Sequence, residues 1–99
     1  MIPQSSTETG TTDTIAAGDL GTTVIYTNAS GCTITLPDSL GAFQLQCKND
    51  SGGNLSFTTS GTASIAQSDT TLAESGNGQD TVWVWTPDGT NWYINGATT

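Results

Sequence analysis

From residue 22 onward the chain breaks into short runs rich in β-branched and aromatic residues, most of them alternating apolar and polar side chains, and each closes on Gly, Pro, Asn or Asp. A period of two gives a strand one face for a core and one for water. Residues 22–27 (TTVIYT) end at Asn28-Ala29-Ser30-Gly31, residues 32–36 (CTITL) at Pro37-Asp38, and residues 43–48 (FQLQCK) at Asn49-Asp50-Ser51-Gly52-Gly53. Residues 55–58 (LSFT) repeat the pattern, and weaker runs lie at 63–66 and 70–73. The signal returns at 81–86 (TVWVWT) and 91–95 (NWYIN), where the intervening Pro87-Asp88-Gly89-Thr90 predicts a turn and an antiparallel hairpin. No stretch has the three-and-four spacing of an amphipathic helix, and residues 38–42 have room for a single turn. Roughly seven or eight short strands at this spacing predict an all-β fold, a small β-sandwich or jelly-roll-like barrel of antiparallel strands.

A chain of 99 residues holds one domain. Residues 1–13 (MIPQSSTETGTTD) are polar and lack either period, so they read as a flexible N-terminal arm, either disordered or ordered only on a neighbouring subunit. Residues 14–99 are then the β-sandwich domain. Apolar residues make up 33% of the chain, against roughly 45–50% in globular domains, so association with other chains is the expected way to complete burial.

Nine acids face a single base, Lys48, and the net charge is −8 with no Arg or His. Such a chain lacks the cations that bind phosphates, which argues against nucleic acid and against anionic membranes. No basic segment followed by an apolar one opens the sequence, and no apolar run approaches the roughly 20 residues of a membrane span. The expectation is a cytosolic product beginning at Met1, with Cys32 and Cys47 as free thiols and a disulfide as the alternative. The alternation puts Cys32 with Ile34 and Leu36, and Cys47 with Phe43 and Leu45, on faces turned to a core.

Catalysis is not expected. A serine or cysteine nucleophile needs a base beside it, and only Lys48 is on offer. Two thiols without a histidine make a poor zinc site. The loop Asn49-Asp50-Ser51-Gly52-Gly53-Asn54 has oxygen ligands for calcium but one carboxylate, so a solvated turn is the preferred reading. No cofactor is expected. The unusual segment is Val82-Trp83-Val84-Trp85, apolar on both faces of one strand. Its second face must be covered by a subunit, by another part of the chain or by a ligand such as a sugar ring, and Trp83, Trp85 and Tyr93 are the interface candidates.

The succession Thr33-Ile34-Thr35-Leu36-Pro37, Lys48-Asn49-Asp50-Ser51-Gly52-Gly53, Leu55-Ser56-Phe57-Thr58 and Asp88-Gly89-Thr90-Asn91-Trp92-Tyr93-Ile94 resembles the small β-domains of tailed-phage virion proteins. These occur in tail fibre and appendage chains and as capsid decoration, or cement, proteins. The resemblance spans about residues 19–96 and is most specific in DGTNWYI. It implies a trimeric β-sandwich that serves as a structural module, without an active site. As a free-standing chain it would be a decoration protein that is made in the host cytoplasm, binds the major capsid protein on the outer shell and stabilises it. The alternative is a tail module that contacts tail proteins or host glycans. The family pattern carries aliphatic residues where this chain has Trp83 and Trp85.

Overall fold

The computed structural model describes residues 5–73, 80–96 and 98. Ten strands follow in order: β1 (Ser5–Glu8), β2 (Thr12–Thr14), β3 (Thr23–Tyr26), β4 (Cys32–Leu36), β5 (Phe43–Asn49), β6 (Asn54–Thr59), β7 (Ser64–Ile65), β8 (Thr71–Ala73), β9 (Thr81–Thr86) and β10 (Asn91–Asn95). One short 3-10 turn, Ala17–Asp19, precedes β3. The strands form a six-stranded sheet, in order β1-β3-β5-β9-β10-β7, and a four-stranded sheet, in order β2-β4-β6-β8.

From β1 to β8 successive strands alternate between the two sheets. The chain therefore winds, with β1-β2, β3-β4 and β5-β6 as stacked coils, and β1, β3 and β5 run parallel, as do β2, β4 and β6. The fold is all-β, as expected, but it is a short β-solenoid rather than an antiparallel sandwich or jelly-roll-like barrel. Antiparallel pairing is confined to β6 with β8 and to the β5, β9 and β10 ladder. The period of two reports that one face of a strand is buried. It carries no information on whether the next turn sends the chain back beside that strand or across to the other layer.

Winding stacks like on like. Val24 lies beside Cys47, Cys32 beside Leu55 and Ile34 beside Phe57, all directed inward and buried. With Tyr26, Leu36, Leu45, Val82, Val84, Trp92 and Ile94 they form one core between the sheets. On the outer side of the smaller sheet Thr12, Thr33, Ser56 and Thr71 form one row, and Thr14, Thr35 and Thr58 another. Coils this close need corners without side chains. A Cβ on Gly31, whose φ is 83°, would meet the Asn54 carbonyl oxygen of the next coil.

The flexible-arm reading of residues 1–13 does not hold for residues 5–13. Residues 5–8 pair in register with Thr23–Tyr26, and β2 pairs with β4. The inward-phase residues of this first coil are Ser6, Glu8 and Asp13, which is why no apolar period marks it. Its polar groups are met locally: the Tyr26 hydroxyl donates to Asp13 at 2.8 Å, and the Gly10 N–H to Glu8 at 3.1 Å. A polar terminal coil suits the end of a solenoid, where the outer surface faces water. Residues 1–4 lie outside the described residues. The body expected to start at residue 14 therefore includes a coil that begins earlier.

DGTNW is explained by the hairpin joining β9 to β10. The Asp88 carboxylate accepts the backbone N–H groups of Asn91 and Thr90, each at 2.9 Å, and the Asn91 side-chain amide at 2.9 Å. These bonds, that from the Asn91 backbone foremost, hold the Asp88 carboxyl far below the ordinary range. Gly89, with φ 83°, passes so near Gly41 that a Cβ would approach its backbone to 2.8 Å. Trp92 is fully buried, donates its indole N–H to the Pro37 carbonyl at 3.0 Å, and meets Phe43 at a tilted angle.

A chain truncated to start at Thr14 loses β1 and most of β2, baring the edges of β3 and β4. Its thermal midpoint should fall by more than about 4 °C, the shift that roughly 1 kcal/mol produces in a domain of this size; an unchanged melt would show that the first coil adds nothing to the body. For Asp88 the folded pKa lies below the unfolded one, so its stabilisation is complete above the ordinary carboxylate value and fades as pH falls toward the folded value. Asp88→Ala should be less stable than the parent at neutral pH, with the gap in urea midpoint closing below about pH 4. A gap that persists into strong acid would contradict this role.

Candidate functional site

Register decides where the tryptophans point. Val82 and Val84 are buried, so Trp83 and Trp85 lie on the outer face of the six-stranded sheet, and Trp83 is 50% exposed. The intrachain-core reading of these two residues is thereby overturned, and their face is left open among the described residues. Trp92, one phase away on β10, is the core tryptophan, and Tyr93 faces outward beside Trp85.

Antiparallel pairing places Trp83 between Gln46 and Asn95, and Trp85 between Gln44 and Tyr93. The Trp85 and Tyr93 rings stack with centroids 4.6 Å apart and planes 21° from parallel. The Trp85 indole N–H donates to Asn95 Oδ1 at 2.6 Å, which fixes the ring from its edge as well. The sequence-predicted trio thus comes together on one face, with different freedom: Trp85 and Tyr93 are a braced pair, while Trp83 stands clear.

A groove of about 520 Å³ runs along this surface, bounded by Leu20, Gln44, Trp83, Trp85 and Asn95. Leu20 is 56% exposed and forms its far wall. Beyond Trp83 a smaller groove continues past Thr23, Gln44 and Gln46. Gln46 accepts from the Thr23 hydroxyl at 2.9 Å, leaving its own amide N–H groups directed to no protein acceptor among the described residues. Sequence reasoning missed Leu20, Gln44, Gln46 and Asn95. The two glutamines and Asn95 carried a usable signal, the outward phase of their alternating strands; Leu20 sits on the approach to β3, where no period applies.

Every described strand residue on the two outer faces is uncharged except Lys48, whose partner across the ladder is Thr81. The described acids sit in turns or face inward. Asp38 accepts the Thr62 backbone N–H at 2.8 Å and its hydroxyl at 2.9 Å, which lowers its carboxyl pKa. Burial, only partly offset by the bond from Tyr26, raises that of Asp13, with Glu8 and Asp19 adding to the rise. The loop weighed for calcium is organised by Asn49: its amide donates to the Gly53 and Leu72 carbonyls, and its oxygen accepts from the Ser51 N–H and hydroxyl. The Asn49 side-chain oxygen is thus engaged within the loop, while the loop's one carboxylate, Asp50, is exposed.

Both cysteines are unpaired and buried. Burial pushes the Cys32 thiol up to about 11 and that of Cys47 to about 12. Among the described residues no three side chains of the His, Cys, Asp and Glu types gather as a metal site, and no helix is long and apolar enough to cross a membrane. Comparison with family models, curated proteins and solved structures gave no match. What the site defines is a chemical class of surface: a sheet face carrying aromatic rings and amides, with Lys48 its one charged strand residue among those described.

Protonated and shielded thiols react slowly, because the thiolate is the nucleophile. Native protein should therefore leave a thiol reagent unconsumed at mildly alkaline pH and take up two equivalents once denatured without reductant. Rapid labelling of the folded chain would contradict the burial.

Proposed function

We propose that this chain is a non-enzymatic structural protein of a tailed-phage virion, a capsid decoration or cement protein that binds the outer capsid surface as a homotrimer and stabilises it. The major capsid protein is its partner in this reading and the virion surface its location. The observation that carries it is the separation of charge from faces: a chain of net charge −8 holds its described acids in turns and inward positions, and the described strand residues of two broad sheet faces carry no charge except at Lys48. Like-charged copies crowd onto a shell only where the surfaces that meet are neutral, since charge repulsion opposes close packing. Trp83, Trp85 and Tyr93 supply the large, stiff contact area that favours subunit joints. The motif resemblance to phage virion domains adds the setting. Buried thiols and carboxylates engaged in turns support a role without catalysis.

A second reading, a tail appendage module that contacts host glycans, is favoured by one observation: amide side chains flank the exposed Trp83 on both sides.

Sedimentation velocity at tens of micromolar should give a trimer, and peptide counting on purified particles should find hundreds of copies in the shell. A monomer, or a few copies confined to the tail, would remove the decoration reading.

A further inference from the structure

We infer that the groove beside Trp83 is a binding site for a neutral saccharide, with Trp83 as its stacking platform. This rests on the second reading above, in which the aromatic face meets a ligand rather than another copy of the chain.

The two rings of β9 differ in a way that bears on ligand binding. Trp85 is engaged at its edge by Asn95 and on its face by Tyr93, so it is held in place. Trp83, two residues earlier and roughly 7 Å away along the strand, is half exposed. A sugar ring presents a face of C–H groups and a rim of hydroxyls. The first is apolar enough to cover an indole, and the second needs hydrogen-bond partners around that indole.

That rim is present. Gln46 and Asn95 are the cross-strand neighbours of Trp83, and Gln44 lies beside Trp85 on the same strand as Gln46. Asn95 uses its oxygen on Trp85, and Gln46 uses its oxygen on Thr23, so each retains an amide N–H pair for a ligand. A primary amide both donates and accepts, which matches a hydroxyl and does not select for charge. Leu20 closes the opposite wall with an apolar side chain.

Charge narrows the class further. Among the described residues neither groove has an acidic or basic side chain in its lining. The rest of the chain carries a net −8, so a sialylated or uronic-acid glycan would approach against repulsion with no arginine to receive its carboxylate. A neutral hexose or N-acetylhexosamine oligomer fits on both counts. The strands beneath the site are central ladders of the sheet, which keeps the platform rigid and limits the ordering that binding would require.

The test is a titration of the full chain with cello-, chito- and manno-oligosaccharides, and with oligogalacturonate as the anionic control, read by tryptophan fluorescence and isothermal calorimetry. At least one neutral series should bind with little dependence on salt, and the anionic control should not. Trp83→Ala should weaken that binding by about tenfold or more, and Gln44→Ala should weaken it measurably, while both variants keep the parent's melting temperature and oligomeric state. Failure of all three neutral series, with Trp83 still open to acrylamide quenching, would overturn the saccharide site and leave the virion reading standing. If Trp83 is instead shielded in a trimer that Trp83→Ala dissociates, the face is a subunit joint, which overturns the site and supports the decoration reading. Binding of the anionic control alone would overturn the neutral class.

Discussion

The parallel stacking of coils is the constraint from which the other features follow. Backbone hydrogen bonds hold adjacent strands roughly 4.8 Å apart, and at that spacing each inward side chain rests on the one in the next coil. Ile34 on Phe57 and Cys32 on Leu55 are such contacts. The chain meets this spacing at its corners, where Gly31 passes the Asn54 backbone too closely for any side chain. Once the coils are stacked, polar positions are stacked as well, and the rows of threonine and serine on the smaller sheet are the outward image of the core rows.

Among the described residues the two edges of the winding are treated differently. At the N-terminal edge of the winding the first coil has Ser6, Glu8 and Asp13 in the inward phase; Asp13 accepts from the Tyr26 hydroxyl and Glu8 from the Gly10 N–H. Beyond the third coil the winding gives way to the hairpin of β9 and β10, which enters antiparallel beside β5. The hairpin adds Val82, Val84, Trp92 and Ile94 to the core and, in the opposite phase, Trp83, Trp85 and Tyr93 to the surface. One structural element thus closes the fold and furnishes the aromatic face. Its turn is locked by Asp88 and by the Trp92 bond to Pro37, so the DGTNW motif has a structural role, and the candidate ligand site lies next to it.

Distribution of charge links the fold to its proposed use. Most of the described acids lie where the chain turns, because a carboxylate can accept several free backbone N–H groups there, as Asp88 does. Outward strand positions are left mostly to Thr, Ser, Asn, Gln and aromatics, with Lys48 the one charge among the described residues, so the faces are nearly neutral although the molecule is strongly acidic. Solubility at high copy number and close contact through a face are then compatible in one small protein.

Local chemistry was legible in the sequence. The strand runs, the Pro-Asp-Gly turn and the antiparallel hairpin it makes follow from period and turn residues, as does the inward phase of Cys32 and Cys47. The first coil was not legible, because a strand whose inward residues are Ser6 and Glu8 has no apolar period to detect. The repeat was hidden too: Thr23 lies beside Ser5 on one side and Gln46 on the other, so the coils differ in length and their sequences do not align by eye. Parallel winding, the exposure of Trp83 and the assembly of Leu20, Gln44, Gln46 and Asn95 around it were decided only by tertiary structure. A two-residue period specifies which side of a strand is buried; which strands become neighbours depends on where the intervening turns send the chain, and that is settled by packing of the whole core.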